Sequence, residues 1–215
     1  QRRGVQVAGP QQAGGTGLGL GQQGRHPARH GLRQADEAQA VEDVEGQVEM
    51  LLKVVPEAKT VGIFYNSSEV NSEVQAKQAK EALEAAGKTV VIKTVTSTND
   101  VQQVMTSLAG QVDAIYLPTD NTVASTAATI GEILMDKKVP AIGSDEAYLE
   151  AVLFTYGVDY HAIGVQAGEL AVEVLKGKDP ADLAVKKPDT AAIAVNEEMA
   201  KALGIDSASI EELNK

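Results

Sequence analysis

From Glu42 onward the apolar positions switch repeatedly between two spacings. Val44 to Val55 carries Val48, Leu51, Leu52 and Val55 on one helical face, and Pro56 marks its end. Thr60 to Tyr65 is a continuous apolar run that predicts a buried strand. Glu73 to Ala86 predicts an alanine-rich amphipathic helix closed by Gly87, and Ser72 with Gln75 fits a capping box at its start. A strand over Thr89 to Val95 follows, then a helix over Asn99 to Leu108 capped near Thr98 or Asn99, a strand over Asp113 to Leu117, a helix over Thr122 to Met135 and a short strand over Val139 to Ile142. Strands alternating with helices at this spacing predict an α/β fold, an open parallel sheet flanked by helices on both faces.

After Ala147 the rhythm changes. Val152 to Tyr156 reads as a short strand or linker, Gly157 to Tyr160 as a turn, and Tyr160 to Leu175 as a long helix ended by Gly177. Pro180 and Pro188 bracket a loop, Ala191 to Val195 is a strand, and Glu197 to Leu203 is a helix. Ser207 to Lys215 is a short, charged tail expected at the periphery.

Composition divides the chain near Ala40. All the arginines, Arg2, Arg3, Arg25, Arg29 and Arg33, lie before it and all the lysines after it. The early segment is rich in Gly, Gln, Ala and Arg and too poor in large apolar residues to offset its ordering entropy. A linker or tag, a basic tail, and coding sequence read out of frame are the competing readings of residues 1–43, and the third is preferred. The chain begins at Gln1, from which a missing start is expected. Gly17 to Gly24 resembles a dinucleotide loop only in its glycines, with no strand before it and no helix after it.

Charge and residue usage exclude further classes. A net charge of −11 disfavours a nucleic-acid surface. The absence of cysteine removes disulfides, thiolate metal sites and a Cys nucleophile. No apolar run approaches the ~20 residues of a membrane span. There is no P-loop, no G-x-S-x-G and no HExxH, and His161 reads as a helix surface residue. An enzyme is therefore not expected, nor a cofactor. A Mg2+ site built from Asp113, Asp120 and Asp145 would need acids after the first strand, where Asn66 and Ser67 stand.

Candidate chemistry gathers in the loops that leave the carboxyl ends of the strands, where open α/β sheets bind ligands. The first, Tyr65 to Ser72, holds Asn66, Ser67, Ser68, Glu69, Asn71 and Ser72, more small polar side chains than one helix cap uses. Glu69 is expected to pair with a ligand ammonium or with the helix dipole. Asp120 and Asn121 follow the third strand, Asp145 the fourth, and Asp159 precedes the long helix. Tyr65 and Tyr160 are candidates to stack on an aromatic ligand.

Three stretches carry a family resemblance: Val61 to Ser72, Asp113 to Thr122 and Thr155 to Tyr160, with the helix end Ala171 to Gly177 in support. From about Val44 to Asp206 the chain resembles the C-terminal part of a substrate-binding protein of an ABC importer, of the tryptophan/tyrosine-binding lipoprotein type. It departs at Glu150 to Phe154, where the family tends to a Gly-Ala-Leu-Ala-like run. The resemblance implies a periplasmic-binding-protein type I lobe with remnants of a second, most of that second lobe being missing. It divides the chain into residues 44–156, a complete ligand-binding lobe, and 157–215, crossover helix, strand and tail of the other lobe. It implies an extracytoplasmic monomer that takes an amino acid or similar small molecule and meets a membrane permease, with no nucleic-acid partner. The competing functions are a ligand-sensing domain of a transcription regulator and a small-molecule enzyme on a flavodoxin-like sheet. The first lacks a helix-turn-helix headpiece in residues 1–40.

Overall fold

A computed structural model describes residues 43–186 and 191–214. The segment 1–42 and Pro188 lie outside the described residues, as do the sequence expectations that concern them.

Six strands form one sheet: β1 (Thr60–Asn66), β2 (Thr89–Val95), β3 (Ala114–Leu117), β4 (Ala141–Gly143), β5 (Phe154–Val158) and β6 (Ala191–Val195), in the order β2-β1-β3-β4-β5-β6. β1 to β5 run parallel, with Ile63 opposite Tyr116 and Tyr116 opposite Ile142. β6 departs from the all-parallel expectation and pairs antiparallel with β5, Val158 opposite Ala191 and Phe154 opposite Val195. The strand after the long helix therefore stands at the edge of this same sheet.

The helices are α1 (Val44–Val54), α2 (Val70–Ala85), α3 (Val101–Ala109), α4 (Asn121–Ser125), α5 (Ala127–Lys137), α6 (Tyr160–Leu175), α7 (Glu197–Leu203) and α8 (Ser207–Glu211). α1 and α2 pack together, as do α3 and α5, and these pairs cover the sheet. Leu51, Ile63, Leu83, Leu108, Ile115, Ile130 and Phe154 are sealed in the core. α7 adds Met199 and Ala200 to it. The tail is not wholly peripheral, because α8 buries Ile210. A buried Gln47 ties α1 to the sheet: it accepts from the Tyr116 hydroxyl at 2.7 Å and donates to the Tyr156 carbonyl at 2.9 Å. Buried amides persist where both ends are satisfied.

Several boundaries differ from expectation for local reasons. α2 starts at Val70, so Ser72 sits inside the helix and the expected capping box does not form; Glu69 takes the cap position without a side-chain cap bond. The helix expected over Thr122 to Met135 breaks at Thr126, whose hydroxyl bonds back to the Thr122 carbonyl at 2.7 Å. Such back-bonding competes with the helical ladder. Ser97, not Thr98 or Asn99, caps the 3-10 turn that opens α3. Gly157 and Val158, expected in a turn, extend β5. A Cβ on Gly157 would lie 2.1 Å from the Ser144 carbonyl oxygen, so only glycine lets the loop after β4 lie against β5.

Candidate functional site

Because β1, β3, β4 and β5 are parallel, Asn66, Leu117, Gly143 and Val158 all end at one edge of the sheet. The loops beyond them bring the expected residues together in two groups. Asp113 is excluded from both. It stands at the opposite end of β3, where its carboxylate accepts from the N–H groups of Lys59 and Thr60 at 2.8 Å each. Those two bonds hold its pKa below the usual carboxylate value. The three-aspartate Mg2+ constellation is therefore not assembled, and no group of three or more metal-binding side chains occurs among the described residues.

The first group joins the loop after β1 to the loop after β3. Asp120 is buried and uses both oxygens on backbone: one accepts from the Asn66 N–H at 2.7 Å, the other caps α4 through the Val123 N–H at 3.0 Å. The Asn66 amide donates to the Thr122 hydroxyl at 2.8 Å, and its oxygen accepts from the Ser68 N–H at 2.8 Å. Glu69, expected to face an ammonium, turns its carboxylate onto the start of α4. There it accepts from the Asn121 N–H at 3.0 Å, the Asn121 amide at 2.9 Å and the Thr122 N–H at 3.3 Å. An acid at a helix N-terminus is favourable for the dipole as well as for the bonds.

Thr119 is the hub that the sequence did not reveal. Its carbonyl accepts from the Asn71 amide at 2.7 Å and the Ser72 hydroxyl at 2.8 Å. Its N–H donates to Gln75 at 2.7 Å, and its hydroxyl meets that of Ser144 at 2.9 Å. Tyr148, also missed, is buried beneath it; the hydroxyl accepts from the Asp120 N–H and lies 2.9 Å from the Asp120 carbonyl. In the sequence Tyr148 is one apolar residue among others, and only the return of its turn under β3 gives it this role. Ser67, on the outside, leans on the Val95 carbonyl, and the exposed Ser68 keeps its hydroxyl without a protein partner among the described residues. Solvent-facing capacity in this group thus lies with Ser67, Ser68, Asn121 and the free oxygen of Asn71.

The second group lies beyond β4 and β5. Asp145 caps a 3-10 turn through the Ala147 N–H at 2.8 Å and accepts from the Tyr160 hydroxyl at 2.8 Å. Asp159 caps α6 through the Ala162 N–H at 3.0 Å. Beside them a cleft of about 340 Å3 opens over β5 and β6. Tyr65 is half-buried at the end of β1, where desolvation, with a smaller push from Glu73, raises its phenol pKa.

Residues 37–213 match the family model of the ABC transporter substrate binding protein. The chain belongs to that family. It is 34% identical over 171 residues to the tyrosine-binding protein of Clostridioides difficile strain R20291, covering 79% of this chain and 50% of that protein. It also superposes, with a TM-score of 0.71 and 36% identity, on the ABC domain from Streptococcus pneumonia solved in complex with L-Trp, covering 80% of this chain and 60% of that one. A ligand-free, open substrate-binding protein with adhesive properties from Clostridium difficile matches at 40% identity and a TM-score of 0.64, over 74% of this chain and 55% of that one. The chain thus spans about half to three fifths of the length of these substrate-binding relatives.

Proposed function

We propose that this chain contributes one lobe of an extracytoplasmic receptor for an aromatic amino acid, which passes its ligand to an ABC permease without chemical change. The observation that carries this reading is the braced edge formed by the loops after β1 and β3. Their buried groups are spent on each other, and a row of small polar groups at Ser67, Ser68, Asn71 and Asn121 is left facing outward. Such a pre-organised edge binds without paying to order itself on contact. The relatives named for tyrosine and solved with L-Trp support the choice of ligand class.

α6 supports a two-lobed receptor. It is sixteen residues long and buries none of them, leaving Val165, Val172 and Leu175 open. We assign its apolar face to a second lobe, with the ligand held between the two, and the extracytoplasmic location and permease to the family's role. No helix among the described residues is long and apolar enough to cross a membrane.

Calorimetric titration with L-tyrosine and L-tryptophan tests the reading. This chain alone should bind weakly, having one side of the cleft. Joined to the other lobe of a relative it should reach micromolar affinity, about 8 kcal/mol. Ser68→Ala should then weaken binding without lowering the melting temperature, and Asn121→Ala, which also loses its amide bond to Glu69, should weaken binding beyond its small stability cost. Unchanged affinity in both variants would remove the first loop pair from the site.

A further inference from the structure

The cleft beyond β5 is built unlike the braced edge beside it. Its floor is the small-residue face of two paired strands, Thr155 and Gly157 from β5 with Ala194 from β6. Its walls carry Glu146, Asp159 and His161, and no lysine or arginine lines it among the described residues. Thr155 is only 2% exposed, yet its hydroxyl has no hydrogen-bond partner among the described residues. Every fully enclosed side-chain polar atom among those residues is satisfied, so this hydroxyl must open into the cleft. Buried hydroxyls without partners cost free energy unless something arrives to bond them. Asp159 spends one carboxylate oxygen on capping α6 and has a second left over.

A hydroxyl acceptor, a free carboxylate oxygen and a second carboxylate around a floor without bulk suit a compact cation with several N–H donors. The side chains present do not converge on a metal ion. We propose that this cleft is the subsite for a primary ammonium group, held by the Thr155 hydroxyl and the Asp159 carboxylate with Glu146 at the rim. The proposal rests on the amino-acid reading for the identity of the ligand that brings the ammonium. It supplies the counter-charge that Glu69 cannot, since Glu69 is committed to α4.

The test is methyl NMR on the full chain with three probes at millimolar concentration: tryptamine, which has the ammonium and no carboxylate, 3-indolepropionate, which has the reverse, and methylammonium. Tryptamine and methylammonium should shift the Thr155 and Ala194 methyls, and 3-indolepropionate should not. Asp159→Asn, which keeps a good cap, should weaken tryptamine about tenfold, and the near-isosteric Thr155→Val by a few-fold, as expected for hydrogen bonds to a charged group. Equal shifts from 3-indolepropionate, no shift from either amine, or unchanged affinity in both variants would overturn the subsite. If the amines bind here while L-tyrosine and L-tryptophan bind nowhere, the subsite stands and the amino-acid reading falls. If the amino acids bind equally well to both variants, the reverse holds.

Discussion

α2 and α6 are both sixteen residues long, and the more polar of the two is the buried one. α2 seals Ser72, Gln75, Ala76, Ala79 and Leu83 against the sheet. α6, with Ile163, Val165, Leu170, Val172, Val174 and Leu175, seals nothing. Apolar content therefore does not rank these helices by burial. α2 is held because small residues at three- and four-residue spacing let it approach closely, and because its polar side chains find partners in the loop after β3. α6 is held at its start by the Asp159 cap and the bond from Tyr160 to Asp145, and along its length by two exposed ion pairs to the returning chain, Glu173 to Lys178 and Glu169 to Lys186, each 2.7 Å.

The comparison breaks most visibly at Leu83. Leu83→Ala opens a cavity in a sealed core and should cost about 2–5 kcal/mol in urea denaturation, whereas Leu175→Ala should stay within about 0.5 kcal/mol. Leu175 is 86% exposed, so an equal loss at both would mean that α6 is covered in solution. A smaller effect should follow at Gln75. Gln75→Leu strands the Thr119 N–H and removes a partner of its hydroxyl, for about 1–3 kcal/mol. Glu169→Gln on α6 removes only an exposed ion pair, worth about 0–1 kcal/mol, and unfolding curves of the two variants should separate.

Acid should sharpen the contrast with the least change at the midpoint. The lowered pKa of Asp113 means that its contribution is present above the unfolded carboxylate value, about 3.9, and is lost as the pH falls through the lower folded value. Asp113→Asn should flatten the acid limb of a stability-against-pH curve. Glu173 is also lowered, by Lys178, but it sits exposed on α6, and Glu173→Gln should leave that limb in place. A limb that follows Glu173 instead would place α6 inside the cooperative unit.

Much of this architecture was legible in the chain. The Val and Ile runs located β1 to β4, and α6 was read to its last residue, because its apolar pattern is long and its ends are marked by Asp159 and Gly177. The antiparallel return of β6 was not legible, since strand direction is a property of pairing and not of composition. The two loops that meet at the braced edge were found from their polar content. Their roles were not, because a side chain's partner lies about fifty residues away, as Glu69 and Asn121 show. Thr119 and Tyr148 went unassigned for the same reason: the Thr119 carbonyl and N–H and the Tyr148 hydroxyl pair with groups brought close only by the fold, several of them backbone groups that leave no mark in a sequence.

The pairing of Val158 with Ala191 makes β5 and β6 the two legs of a hairpin. Topologically, α6 then belongs to the tip of that hairpin. The entropy of closing a loop grows only slowly with its length, so the strand legs tolerate a tip of almost any size. Shortening the connection between β5 and β6 to a tight turn should leave the sheet threaded as before, while removing Asp159 and the subsite it serves. α6 is thus carried on a hairpin whose legs are fixed by the sheet, so its exposed apolar positions can vary without disturbing the strands that hold it.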